Sequence, residues 1–201
     1  SNYNGSDSFT FTVSDGTATS SPATVSVNVS AVNDAPVASS QSVTGNEDAT
    51  QTITLSGSDP EGDTLTYALA SQPSHGTATL SNATVTYVPV SDYSGLDSFT
   101  FTVSDGTATS SPATVSITVT AVNDAPVATA QSVTVAEDAS QTITLSGSDP
   151  EGDTLTYALA SQPSHGTATL SGSTVTYTPS AGYNGSDSFT FTVSDGSSTS
   201  S

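Results

Sequence analysis

Apolar and polar residues alternate with a period of two in Leu65-Thr66-Tyr67-Ala68-Leu69, in Phe99-Thr100-Phe101-Thr102-Val103 and in Val115-Ser116-Ile117-Thr118-Val119. Each segment therefore carries one apolar face and one Ser/Thr face, the pattern of a half-buried β-strand. Shorter runs of the same kind surround Val43, Ile53 with Leu55, Ala78 with Leu80, and Val85 with Tyr87, with Gly, Pro, Asn, Asp and Ser between them. This spacing predicts about seven strands per repeat and hence a two-layered, all-β sandwich. A closed barrel is the weaker alternative.

The pattern repeats. SDSFTFTVSDG at 6–16 returns as LDSFTFTVSDG at 96–106 and as SDSFTFTVSDG at 186–196, so Phe9, Phe99 and Phe189 set a period of 90 residues. The block QTITLSGSDPEGDTLTYALASQPSHGTATLS at 51–81 recurs unchanged at 141–171. Such periodicity marks a tandem array. AVNDAPVA at 31–38 and 121–128 reads as the joint between repeats, with Pro36 and Pro126 as stops. Residues 1–33 then read as the C-terminal strands of a preceding repeat and 34–123 as a complete repeat. Residues 124–201 read as a second repeat lacking its last strand, because the counterpart of PATVSITVTAV at 112–122 falls past Ser201. The expected fold class is thus all-β: tandem, seven-stranded, Greek-key immunoglobulin-like or cadherin-like sandwiches.

Strand parity sorts the loops. Successive strands across a sandwich mostly run in opposite directions, so the loops after the second, fourth and sixth strands share one pole with the incoming joint. The other loops share the opposite pole with the outgoing joint. The nine acidic residues of the complete repeat are expected in loops or at strand ends: Asp34, Glu47, Asp48, Asp59, Glu61, Asp63, Asp92, Asp97 and Asp105. By parity Asp59, Glu61, Asp63 and Asp105 face the incoming joint with Asn33 and Asp34, while Glu47, Asp48, Asp92 and Asp97 face the outgoing one. In the next repeat Asn123, Asp124, Asp149, Glu151, Asp153 and Asp195 take the corresponding places.

Composition sharpens what these carboxylates imply. The chain has 19 acidic residues, no Lys, no Arg and no Cys, for a net charge of -19. Nothing basic is present to displace counterions, which argues against nucleic acid and anionic membrane surfaces as partners. Walker-type phosphate loops and Schiff-base chemistry lack their Lys, and disulfides and thiolate metal sites lack their Cys. No apolar stretch approaches the roughly 18 residues of a membrane span. Clustered carboxylates without cationic neighbours repel one another by on the order of 1 kcal/mol per close pair, and a bound cation removes that conflict. Oxygen donors from several loops suit calcium (Ca2+) better than Zn2+ or Cu2+, and the spacing of Asp59-Pro60-Glu61-Gly62-Asp63 turns alternate carboxylates toward one point. The alternative is a set of solvated acidic loops that keep the array soluble.

Taken together, AVNDAP at the joints, EDA at 47–49 and 137–139, SDPEGDTLTY at 58–67 and 148–157, and YSGLDSFTFTVSDG at 93–106 resemble the cadherin-like tandem repeats of large bacterial surface proteins. Many of these are calcium-dependent adhesins of the RTX type, exported by type I secretion. The resemblance implies that Asn33 with Asp34, and Asn123 with Asp124, match the central pair of the cadherin joint, Asp-x-Asn-Asp-Asn. Ala31, Ala35, Ala121 and Ala125 replace its outer ligands, which implies fewer ions per joint. It further implies ligand positions at Glu47, Asp97, Asp59, Asp63 and Asp105 and at their counterparts 90 residues on. Glu61, Glu151 and Asp7 complete the candidate set.

Two weaker signals are weighed beside these. Ser74 and His75 in PSHG, repeated at Ser164 and His165, suggest a hydrolase only if an acid and an oxyanion hole join them, and the Gly-x-Ser-x-Gly elbow is absent. No catalysis is expected. Tyr93 and Tyr183 are expected to pack a corner between strands, and the Asn-x-Ser/Thr matches at Asn4, Asn28, Asn82 and Asn184 are those that chance gives in so Ser/Thr-rich a chain. The expected function is an extracellular structural repeat of an adhesin or surface fibre, a calcium-rigidified spacer partnered by neighbouring repeats and by homotypic assembly into fibres. One alternative is a filament subunit assembled by strand complementation, although residues 3–16 and 183–196 duplicate one strand and leave a copy spare. Another is a carbohydrate- or protein-binding module.

Overall fold

The computed structural model describes residues 3–200, and no helix occurs among them. Residues 1, 2 and 201, the outer ends of the first and third predicted segments, lie outside the described residues. The chain forms two compact units: Ser1–Val90 with Gly95–Val119, and Ser91–Ser94 with Thr120–Ser201.

The first unit begins with an antiparallel pair, β1 (Gly5–Phe11) and β2 (Ala23–Val29), in register from Gly5 opposite Val29 to Phe11 opposite Ala23. Its large apolar side chains Phe9, Phe11, Val27 and Val29 are exposed. A sandwich follows, built from β3 (Val37–Ala38), β4 (Gln41–Asn46), β5 (Gln51–Thr54), β6 (Gly57–Ser58), β7 (Thr66–Ser71), β8 (Gly76–Ser81), β9 (Thr84–Pro89), β10 (Gly95–Ser104) and β11 (Ala113–Thr120). One sheet has the order β4-β11-β10-β7 and the other β5-β9-β8. The chain passes back and forth between them along a Greek-key path.

The seven longer strands are those the alternation predicts. The two short ones, β3 and β6, pair with each other just after the joint, Val37 opposite Ser58. Gly57 permits that approach, since a Cβ there would meet the Val37 carbonyl at 2.9 Å and the Val103 side chain at 3.1 Å. Between the sheets lie Ile53, Leu55, Val85 and Tyr87 on one side and Phe99, Phe101, Val103, Val115, Ile117 and Val119 on the other, all buried. Alternation buries every second residue of β11, from Ala113 to Val119, so this strand alone seals one flank of the core.

The second unit contains β12 (Val127–Ala128), β13 (Gln141–Thr144), β14 (Gly147–Ser148), β15 (Thr156–Leu159), β16 (Gly166–Ser171), β17 (Thr174–Pro179) and β18 (Phe191–Ser194). Its three-stranded sheet, β13-β17-β16, matches that of the first sandwich, but the facing sheet is the pair β15-β18 alone. Residues 131–136 and 185–190 adopt no strand. Their counterparts in the first sandwich, within β4 and β10, both flank β11. Backbone groups without a ladder partner have no reason to hold an extended register. Against the core of Ile143, Leu145, Ala168 and Val175 pack the partly buried Tyr157, Leu159, Leu170, Tyr177, Phe189 and Phe191, beside an open cleft of about 600 Å³.

Candidate metal centre

The acidic loop after β6 is a turn organised by one carboxylate. Asp59 Oδ1 accepts bonds from the backbone N–H of Glu61 (3.0 Å) and of Asp63 (3.1 Å), and the Gly62 N–H donates to the Asp59 carbonyl. Gly62 takes φ +81°, where a side chain would be strained. This turn aims Glu61 at the joint, and the Asp34 N–H donates to Glu61 Oε2 at 3.1 Å.

The loop after β10 reaches the same joint residues. Ser104, Gly106 and Ala108 close it, with Ser110 bonding Val103 through both its N–H and its hydroxyl. Asp105 Oδ1 accepts from the N–H groups of Ala108 and Thr107, and its Oδ2 accepts from Asn33 Nδ2 at 3.0 Å. The Ala108 N–H, then the Asn33 amide and the Thr107 N–H, hold the Asp105 carboxyl below the usual carboxylate range. Asn33, Asp34, Asp59, Glu61, Asp63 and Asp105 thus form one constellation around the start of the sandwich.

The second unit repeats it from the same residue types. Asp149 Oδ1 accepts from the N–H groups of Glu151 and Asp153, Glu151 Oε2 from the Asp124 N–H at 3.0 Å, and Asp195 Oδ2 from Asn123 Nδ2 at 2.9 Å. Carboxylate oxygens of Asp124 and Glu151 lie within 4.8 Å of one another. The Ser198 N–H, the Asn123 amide and the Ser197 N–H keep the Asp195 carboxyl low.

In each constellation one oxygen of the carboxylate that organises the acidic loop stands apart. Asp59 Oδ2 and Asp149 Oδ2 are closed off from solvent and have no hydrogen-bond partner, although the other oxygen of the same carboxylate accepts two. A buried anionic oxygen left unpaired is costly. The side chains tied into each constellation by hydrogen bonds carry oxygen ligands only, from carboxylates and an amide, a set that suits a hard divalent cation such as calcium. The chain has no Lys or Arg to pair with that oxygen.

Three candidates stand elsewhere. Asp97, expected in a loop or at a strand end, lies inside β10 and points inward. Its Oδ1 accepts from the N–H groups of Ser74 and Ser98, and its Oδ2 from the His75 N–H and, at 2.9 Å, from the Tyr87 hydroxyl. Burial pushes its carboxyl up, but the bonds from Ser74, Ser98, Tyr87 and His75 outweigh that and hold it below the usual range. With four donors already on it, Asp97 braces the turn before β8 rather than offering free oxygens. Asp7, its counterpart in β1, is exposed and accepts from the Ser8 N–H. Glu47 is buried in the turn just after β4.

The same network takes in the Ser–His–Asp grouping. Ser74 and His75 meet Asp97 through their backbone N–H groups. In the second unit the His165 ring stacks on Tyr183 with centroids 4.2 Å apart, and its Nδ1 stands 4.0 Å from Asp187. Tyr183 also makes the corner bond that its position predicts, its hydroxyl donating to the Ser186 carbonyl at 2.8 Å, as Tyr3 does to Ser6.

Comparison with known proteins agrees with this architecture. The family described as "Bacterial Ig domain" matches residues 1–28, 33–118 and 123–201. Among solved structures, the extracellular cadherin domains 1–5 of protocadherin Gamma B2 align with a TM-score of 0.54 at 15% identity, over 89% of this chain and 40% of that one. The extracellular domain of protocadherin GammaB4 aligns at 0.52 and 16% identity, over 96% and 38%. An endo-fucoidan hydrolase of glycoside hydrolase family 107 aligns at 0.40 and 24% identity, over 98% and 33%. The chain spans no more than 40% of the length of each of these structures. A search of the curated proteins finds no match.

Proposed function

Since the chain belongs to the bacterial Ig domain family, we propose that it is an extracellular stretch of an adhesin or surface fibre, a spacer whose joints are stiffened by calcium. The family and the cadherin-like fold support a structural or adhesion-related repeat. The carrying observation for the metal is the unpaired, buried Oδ2 of Asp59 and of Asp149. In this reading Asn33, Asp34, Asp59, Glu61, Asp63 and Asp105 supply one set of ligands, and Asn123, Asp124, Asp149, Glu151, Asp153 and Asp195 supply the next. Residues 34–123 are the repeating module, with 1–33 and 124–201 as parts of its neighbours.

Calcium in this role performs no chemistry. It neutralises carboxylates that would otherwise repel, and it ties the joint residues more firmly to the two loops that Asn33 and Asp34 already touch. A stiff array of such modules holds a binding domain away from a surface, at a distance set by copy number. Titrating Ca2+ into the chelated protein while following melting temperature and small-angle scattering length tests this. Melting should rise and the scattering length should increase. Unchanged values in both, or a response kept in full by the combined Asp59→Asn and Asp149→Asn variant, would overturn the metal reading.

A further inference from the structure

The two constellations hold carboxylates of two kinds. Asp59 and Asp149 each keep one oxygen without a donor. Asp105 is supplied on both sides: its Oδ1 accepts from the N–H groups of Thr107 and Ala108, and its Oδ2 accepts from Asn33 Nδ2 at 3.0 Å. Asp195 is supplied in the same way by Ser197, Ser198 and Asn123. We propose that the amides of Asn33 and Asn123 stand where a further cation would otherwise be needed, latching the joint residues to the loops after β10 and β18 with or without calcium.

The partners fix which way each amide faces. Asn33 Nδ2 also donates to the Asp34 carbonyl at 3.0 Å, so its two N–H groups have two acceptors. Asn123 Nδ2 likewise meets the Asp124 carbonyl at 2.9 Å, Asp195 Oδ2, and the Ser198 hydroxyl at 3.1 Å. Turned over, either amide would set its oxygen against a carbonyl and a carboxylate, neither of which can donate. An aspartate at 33 would do the same with a full charge added, and a cation would then be required to reconcile it with Asp105. A neutral donor on an ionised acceptor gives a charge-assisted bond with no ion between them.

The loop itself does not depend on this bond. Residues 14–20 have the same sequence as 104–110, Ser-Asp-Gly-Thr-Ala-Thr-Ser. They close in the same way: Asp15 Oδ1 accepts from the N–H groups of Thr17 and Ala18, Ser14 Oγ donates to the Ala18 carbonyl, and the Gly16 N–H donates to Ser14 Oγ. Each copy is thus shaped by its own residues. What the Asn33 amide adds is a tie between a finished loop and a residue 72 positions earlier in the chain. The joint is then held at two points, by Asp34 on Glu61 and by Asn33 on Asp105. The first lies beside the unpaired oxygen of Asp59, whereas at the second the amide has already taken the cation's place. Only the choice of which loop answers to the ion rests on the calcium reading.

Hydrogen-exchange mass spectrometry of the whole chain, in EDTA and in Ca2+, tests the latch. In EDTA the Asn33→Asp variant should exchange about fivefold faster at 33–35, the effect of one net hydrogen bond, while the strands of the sandwich keep their protection. The swapped pair, Asn33→Asp with Asp105→Asn, moves the amide to the loop and the carboxylate to the joint, and it should recover most of the loss. Ca2+ added to Asn33→Asp should recover it too, since the ion then does what the amide did. In the parent, Ca2+ should slow exchange at 59–63 and leave 104–110 as it was. Unchanged exchange at 33–35 in Asn33→Asp, no recovery in the swapped pair, or a Ca2+ response at 104–110 equal to that at 59–63 would each overturn the proposal. If Ca2+ changes nothing at 59–63 while the swapped pair recovers, the calcium reading falls and the latch stands.

Discussion

The residues YNGSDSFTFTVSDG at 3–16 and at 183–196 are identical, yet they fold differently. In the first copy Gly5–Phe11 is a seven-residue strand beside β2; in the second, strand begins only at Phe191. The third version, at 93–106, has β2's close relative β11 on one side and β7 on the other, and it is the ten-residue β10. Local sequence is nearly constant across the three, so the extent of strand follows from the partners that each copy finds. β-propensity here describes a surface ready to pair, not a conformation already chosen.

The core shows the same contrast in energetic terms. Phe99 and Phe101 are sealed between β11 and the facing sheet, whereas Phe189 and Phe191 are only partly buried against an otherwise equivalent layer. Placing a strand of the β11 type beside 185–190 is the strongest way to break the difference. With residues 112–122 copied after Ser201, amide exchange at 185–190 should slow by on the order of 10⁴-fold, about 5 kcal/mol of local protection. Hydrogen-exchange mass spectrometry reads this directly. Exchange that stays fast would show that the segment's lack of strand owes nothing to a neighbouring strand.

A pair of truncations probes the same contrast with a smaller effect. Phe99→Ala removes a fully buried ring and should cost about 3–4 kcal/mol, while Phe189→Ala should cost only about 1 kcal/mol because half of its surroundings are already open. Thermal or denaturant unfolding of the two variants gives the comparison. Equal losses would mean that the cleft is closed in solution.

Alternation made the long strands of the sandwich readable, because a strand buried on one face cannot hide its period. Parity likewise put the loops holding Asp59 and Asp105 beside Asn33 and Asp34, where the bonds between Asn33 and Asp105 and between Asp34 and Glu61 are found. β3 and β6 were too short to show a period. Asp97 was misread because an aspartate in a Ser/Thr-rich stretch looks solvated; only the arrival of Ser74, His75 and Tyr87 from elsewhere in the chain makes it an interior acceptor. The unpaired oxygens of Asp59 and Asp149 are equally invisible in sequence, since they depend on which oxygen the turn consumes.

Asp97 and Asp187 extend the comparison to polar groups. Both accept from a Tyr hydroxyl and from the same three backbone positions, but Asp97 is buried whereas Asp187 is slightly more open, its side chain 9% exposed. Replacing Asp97 by Asn puts an amide donor against donors in a closed site and should cost about 2 kcal/mol. The Asp187→Asn change should cost somewhat less, as its slightly more open site lets some water reach the displaced donors. Unfolding curves for the two variants separate the cases.

The smallest effect is the slope of stability with pH, and its sign follows from the same hydrogen bonds. Burial raises the Asp97 carboxyl, yet the donors from Ser74, Ser98, Tyr87 and His75 lower it more, so its folded value lies below the unfolded value of about 3.9. A carboxyl depressed in the folded state binds fewer protons there than when unfolded, so its contribution is fully present above the unfolded value and is lost as pH falls through the folded one. Asp105 is depressed as well, so the parent protein alone does not isolate Asp97. The difference between the parent and Asp97→Asn does. Melting followed in EDTA from neutral pH down through the acid range should show the two proteins converging as Asp97 takes up its proton. If the gap between them stayed constant, Asp97 would be uncharged at neutral pH, and the four donors around it would be serving a neutral acid.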